Sequence, residues 1–203
     1  MSKGLFISVE GPDGSGKSTQ IDLLKKHIES KGRTVIFTRE PGGTPIGEKI
    51  RKIILDPENE EMDYMTEALL YAASRSQHVH QVIKPALVRG DVVICDRFVD
   101  SSIAYQGYGR QLGQPVRIIN DYAIDGCVPD ITLLFKLDPT VGISRITRAQ
   151  DRLEKEALDF HRRVFEGYLE IEGLNPGRVL GIDAGRSIEE VHSEIIEKID
   201  KLL

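Results

Sequence analysis

Residues 5–19 read Leu5-Phe6-Ile7-Ser8-Val9-Glu10-Gly11-Pro12-Asp13-Gly14-Ser15-Gly16-Lys17-Ser18-Thr19. The run Gly11 to Ser18 matches G-x-x-x-x-G-K-[ST], with a short apolar stretch before it and an amphipathic stretch after it. Glycines let backbone N–H groups turn inward around phosphate oxygens, and the following helix N-terminus adds positive potential. Lys17 is then expected at the β- and γ-phosphates and the Ser18 hydroxyl on Mg²⁺, with Gly11, Pro12, Asp13, Gly14, Ser15, Gly16 and Thr19 completing the nucleotide loop. The competing reading is a glycine-rich turn with an exposed lysine.

Outward from this loop, five short apolar runs read as strands: Leu5–Val9, Thr34–Thr38, Val92–Cys95, Ile131–Leu137 and Arg178–Ile182. They are almost continuously apolar, as in a parallel sheet buried on both faces. Helical patterns fill the gaps. Lys17–Lys31 stops at Gly32; Thr44-Pro45 opens a helix to about Leu55; a long helix runs Tyr64 to Arg89, with Pro85 as a kink point. Ser187-Ile188-Glu189-Glu190 is a capping box for the last helix. Strands alternating with helices predict an α/β fold, a three-layer sandwich with a five-stranded parallel sheet, in one domain over residues 1–203.

The 203 residues can bury a core without disulfides, and 40% apolar with 29% charged residues excludes a disordered or collagenous chain. No apolar run reaches membrane-spanning length, and residues 1–4 lack a signal-peptide pattern. With two cysteines, Cys95 inside an apolar run, a reduced cytoplasmic protein is expected. The net charge of −5 argues against nucleic acid as partner, although a local anion site remains open, and 15 of the 27 cations are arginine. The five histidines show no metal-ligand pattern; His78 and His80 point different ways on a helix.

The loop alone says only that a nucleoside triphosphate binds. The Asn-Lys-x-Asp guanine signature is absent, and the chain is short for a motor, so a small kinase with an acceptor site is expected. The strand to Cys95 ends in Asp96, an acid suited to a metal-bound water, followed by Arg97; a local ion pair is the bland alternative. Arg39-Glu40 follows the second strand, and Arg51 lies beyond it. Glu67, Tyr71 and Arg75 share one helix face, which reads equally well as a solvated stripe. Asp100–Arg110 is dense in hydrogen-bonding side chains, with a capped helix ending at Gly107 as its plain reading.

Together these segments resemble the bacterial thymidylate kinases of the P-loop nucleoside monophosphate kinase group. The matching stretches are Glu10–Thr19, Thr38–Thr44, Ala72–Gln77, Asp96–Gly107 and Asp151–Glu154, in the family's order. The resemblance implies transfer from ATP to dTMP, giving dTDP, with Mg²⁺ held near Ser18 and Asp96, and commonly a homodimer. It implies that Arg75 and Gln106 hydrogen-bond thymine, Tyr71 stacks on it, Ser102 lies nearby, and Tyr105 excludes a 2′-hydroxyl. Arg39, Glu40, Arg51 and Arg97 would line the acceptor phosphate side, and Asp13 would face the sugar. Catalysis would rest on Lys17, Arg97 and Asp13, plus an arginine of a short lid at about 145–156, Arg148 before Arg152. Some members carry an arginine in the loop where this chain has Gly14, and the lid arginines Arg145, Arg148 and Arg152 are the complement of that difference. The loop Asp183-Ala184-Gly185-Arg186 would border adenine. Two alternatives stay open: a kinase for another nucleoside monophosphate or a deoxynucleoside, and a nucleotide-binding regulator without chemistry.

Overall fold

The computed structural model describes residues 3–145 and 151–203. Five parallel strands form one sheet in the order β2-β3-β1-β4-β5: β1 Leu5–Glu10, β2 Val35–Arg39, β3 Val92–Asp96, β4 Ile131–Lys136 and β5 Val179–Asp183. The apolar runs are strands because both faces are covered. Every residue of central β1 is buried, while edge strand β2 is half open. Most strands end one residue beyond the apolar run, on a charged side chain: Glu10, Arg39, Asp96 and Asp183. The sheet thus delivers charge to its carboxyl edge, where open α/β sheets bind ligands.

One face packs on α1 Lys17–Ser30 and α9 Ile188–Ile199, through Ile21, Leu24, Ile28, Val191 and Ile195. The capping box of α9 forms as expected, between Ser187 and Glu190. Between β2 and β4 lie α2 Pro45–Leu55, α3 Tyr64–His78, α4 Lys84–Arg89, α5 Val99–Ser102 and α6 Gln114–Ile124. The other face is covered by the segment after α3, by α4 and α5 and by the end of α6, while α2 packs on α3. Phe6, Val93 and Cys95 meet Val79, Ile83 and Phe98 there. The Cys95 thiol is fully buried and pushed well up by that burial, as an inert core thiol should be. α7 Pro139–Ser144 and α8 Leu158–Leu174 follow β4.

Two expectations change. The long helix from Tyr64 to Arg89 is not one α-helix. Val79–Ile83 widens into a π turn, with Lys84 N–H donating five residues back to Val79, just ahead of Pro85. Pro85 has no N–H to donate and its ring crowds the preceding turn, so the widening falls where the sequence marks a kink. Likewise Val99–Gly109 does not end at Gly107: after α5 it runs through a π-helical stretch, Ile103–Gly109, and closes at Arg110. Single-turn π geometry is common at functional sites. No helix among the described residues is long and apolar enough to cross a membrane.

Candidate active site

Strand register performs the first step of assembly. Val9 of β1 and Arg39 of β2 both pair with Asp96 of β3. The loops leaving three adjacent strands therefore open into one crevice, with a cavity of about 610 Å³, the size of a small-molecule site. Residues 13–19 line it together with Arg39, Glu40, Arg51, Tyr71, Arg75, Asp96, Arg97, Ser102, Tyr105 and Gln106. Gly11 and Pro12 form the stem behind. A Cβ on Gly11, at φ +129°, would lie 2.4 Å from the carbonyl oxygen of Phe135, so only glycine lets β1 turn out beside β4.

Gly16, at φ 87°, leads into α1 without a side-chain cap, the backbone arrangement that suits anions. Lys17 is buried rather than exposed, and its Nζ donates to the carbonyls of Gly11 (3.0 Å) and Pro12 (2.8 Å). Burial, then repulsion from Arg97, lowers its ammonium to about 8, against the pull of Asp13, Asp96 and Glu10. Ser18 is exposed beside it. Asp96 Oδ1 is buried with no hydrogen-bond partner among the described residues. One carboxylate and one hydroxyl in the same cavity fit Mg²⁺, a hard cation that keeps waters and phosphate oxygens as its other ligands. No group of three or more His, Cys, Asp or Glu among the described residues makes a closed protein cage.

Beyond the loop, cations gather. Arg97 has φ 66°, a left-handed conformation rare for a large side chain and held here by its contacts. Its Nη2 donates to Asp13 Oδ1 at 2.8 Å, its Nη1 to Ser101 Oγ and Tyr168 Oη, and its guanidinium sits 5.2 Å from the centre of the Tyr105 ring. Burial opposes its charge, yet Asp13 above all holds it well above the ordinary arginine range. Arg51 Nη1 donates to Pro41 O at 2.8 Å; burial and then the charge of Arg39 lower its guanidinium. Arg39 is exposed and paired with Glu48. Cations that depress one another across a cavity favour an anion between them.

At the far end Arg75 is 1% exposed. Its Nη1 donates to Ser102 Oγ (2.9 Å) and to Asn120 Oδ1, its Nη2 to Phe98 O (3.1 Å), and its Nε lies 2.8 Å from Glu40 Oε2. Nη2 uses one of its two N–H groups on Phe98, and Nε meets Glu40 as an ion pair without the geometry of a hydrogen bond. Glu40 is itself held by His78, 2.9 Å away, whose other nitrogen meets Thr38 Oγ1 at 2.6 Å. Glu40 thus anchors Arg75 as well as lining the cavity. Burial raises the hydroxyls of Tyr71 and Tyr105 far beyond neutral pH, so both rings stay uncharged.

The family model for thymidylate kinase matches residues 9–195. A thymidylate kinase from Halothermothrix orenii is 52% identical over 203 residues, covering 97% of each chain. One from Halalkalibacterium halodurans is 50% identical over 208 residues, covering 100% of this chain and 99% of that protein. A crystal structure of thymidylate kinase from Ehrlichia chaffeensis superimposes with a TM-score of 0.80 at 35% identity, covering 98% of this chain and 99% of that one. The chain belongs to the thymidylate kinase family. It is an ATP-dependent kinase that phosphorylates dTMP to dTDP, a step of dTTP synthesis.

Within this thymidylate kinase fold the lid residues differ in fate. Arg148 lies outside the described residues. Arg152 does not line the cavity: its Nε donates to Ile54 O (2.9 Å) and its Nη2 to Glu67 Oε2 (2.5 Å), inside the protein. Arg152 is itself buried, so a charged stretch that reads as lid surface is packed there. Arg145 instead borders the cavity and donates to Gly14 O at 3.2 Å. Arg186, expected beside the nucleotide, pairs with Glu194.

The solvated-stripe reading of Glu67, Tyr71 and Arg75 fails, because Glu67 and Arg75 are fully buried. Sequence reading missed Arg110 as the partner of Glu67, Asn120 as the partner of Arg75, and Tyr168 behind Arg97 and Ser101. Arg110 stands four residues after Gln106, a readable signal; Asn120 and Tyr168 come from distant helices and carry none.

Proposed function

We propose that both nucleotides of the thymidylate kinase reaction meet in this one cavity, the ATP polyphosphate on the loop 11–19 and dTMP between the arginines and the Arg75 end. The observation that carries this reading is the common register of Val9, Arg39 and Asp96, which sets the donor loop beside the acceptor cations. Lys17 neutralises the transferring phosphate. Ser18 and Asp96 would hold Mg²⁺, which would supply further charge stabilisation. Arg97, steadied by Asp13, and Arg39 with Arg51 hold the acceptor phosphate. That phosphate is dianionic above its second pKa of about 6, so no general base is required and Asp13 and Asp96 orient rather than abstract protons. The chemical problem is bringing two polyanions in line, which positioning and charge solve.

In this reading the second Nη2 N–H of Arg75 and the amide of Gln106 face the pyrimidine, Tyr71 stacks on it, and Tyr105 packs on the deoxyribose. Arg145, which borders the loop, meets the ATP phosphates. The enzyme works in the cytoplasm as a homodimer, without nucleic acid or membrane, and the exposed apolar side chains Leu69 and Val88 on the α3 and α4 faces support self-association.

A coupled ADP-release assay tests the reading. ADP release is expected only with dTMP present, and Gln106→Ala is expected to raise the KM for dTMP about tenfold, the worth of one buried hydrogen bond. An unchanged dTMP KM would place Gln106 away from the base.

A further inference from the structure

Glu67 lies one helical turn before Tyr71, is 0% exposed and does not line the cavity. Both of its oxygens are fully used. Oε1 accepts from Gln106 Nε2 at 2.9 Å and from Arg110 Nε at 3.3 Å. Oε2 accepts from Arg110 Nη2 at 3.0 Å and Arg152 Nη2 at 2.5 Å. The Arg110 guanidinium is itself fixed, 4.4 Å from the Tyr64 ring centre, 4.7 Å from that of Phe160, and 2.6 Å from Glu156. The Glu67 carboxylate of α3 is therefore held by the π stretch with its closing Arg110 and by the segment after residue 150, while Phe160 of α8 backs Arg110.

An ionised carboxylate accepts hydrogen bonds and donates none. The Gln106 amide must therefore turn its NH₂ to Glu67 and its carbonyl the other way. That carbonyl, Oε1, is buried and has no partner among the described residues, and Gln106 lines the cavity. We propose that Glu67 is a positioning residue that locks the Gln106 amide with its carbonyl toward the pyrimidine, so that the site selects a base with N–H at ring position 3. Thymine and uracil carry that hydrogen; cytosine presents a lone pair there, facing the carbonyl oxygen. An unlocked amide rotates to suit either base, whereas a locked one rejects the wrong edge because a buried acceptor is left unpaired. The inference rests on the reading that Gln106 faces the base.

The test is Glu67→Gln, close in shape but able to present either an acceptor or a donor to Gln106. kcat/KM is measured for dTMP, dUMP and dCMP at saturating ATP, with Gln106→Ala in parallel. In Glu67→Gln the dTMP-to-dCMP ratio is expected to fall at least about tenfold, while the dTMP-to-dUMP ratio, which reads only the methyl group, stays constant. A fall in Gln106→Ala without one in Glu67→Gln overturns the inference alone. No fall in either variant overturns the reading of Gln106 and the inference with it. Should Glu67→Gln not fold, the unmutated protein still decides by NMR. The Gln106 side-chain NH₂ is expected to exchange slowly with solvent before any nucleotide is added; fast exchange there overturns the lock.

Discussion

Lys17 carries the largest functional consequence of a single side chain's surroundings. Folded over the loop carbonyls, it has an ammonium lowered to about 8 from an ordinary 10.5. Between those values the unfolded chain binds more protons than the folded one, so this group's contribution to the stability of the nucleotide-free protein rises with pH from about 8 to 10.5. Below pH 8 the folded state carries a charge that burial disfavours. A polyphosphate beside the lysine reverses the effect by favouring the charged form. Because kcat/KM reports the free enzyme and kcat the complex, kcat/KM for ATP is expected to fall above about pH 8 while kcat holds to higher pH. Coincident inflections in the two profiles would contradict this. Titration calorimetry in buffers of different ionisation enthalpy should also show proton uptake on ATP binding near pH 9, and Lys17→Ala should remove both that uptake and nearly all turnover.

Among the elements, α3 matters most, because Glu67, Tyr71 and Arg75 leave it on one face toward the cavity and its wall. Its start is set by Asp63, whose carboxylate accepts from the N–H groups of Met65 (2.9 Å) and Thr66 (3.3 Å). Its end is set by the π turn ahead of Pro85. Asp63→Ala removes the cap and is expected to lower stability by about 1 kcal/mol, read as a shifted urea midpoint with unchanged slope. The effect on dTMP KM should stay small, since the buried contacts of Arg75 and Glu67 hold the helix from its middle. The widened turns at Val79–Ile83 and Ile103–Gly109 are the least readable elements. A π turn has no residue signature of its own, and only Pro85 betrays the first.

At the scale of the whole molecule, the Tyr105 and Gln106 wall of the cavity depends on α8 packing against the π stretch. Gly109 makes that approach possible: a Cβ there would meet Phe160 at 2.6 Å and Val164 at 2.8 Å. Gly109→Ala is expected to cost about 1–3 kcal/mol by overpacking and to raise the dTMP KM more than the ATP KM, because Phe160 also flanks Arg110 and Tyr105. Equal effects on both substrates in steady-state kinetics would refute that division. The primary sequence determined the sheet, its parallel sense and the nucleotide loop, because those rest on local signals: apolar runs of strand length, glycine spacing and Lys17 at the start of α1. It also set Arg39 and Arg97 just after two strands, and the structure places both in the cavity wall. Only the tertiary structure decided that Arg152 turns inward to Glu67, that Arg145 borders the loop, and that Glu67 and Arg75 are buried rather than solvated. Those outcomes depend on partners distant in the chain: Asn120 is 45 residues from Arg75, Ile54 is 98 from Arg152, and Gly14 is 131 from Arg145. Charge balance between such distant groups is set by packing, and leaves no periodic trace along the chain.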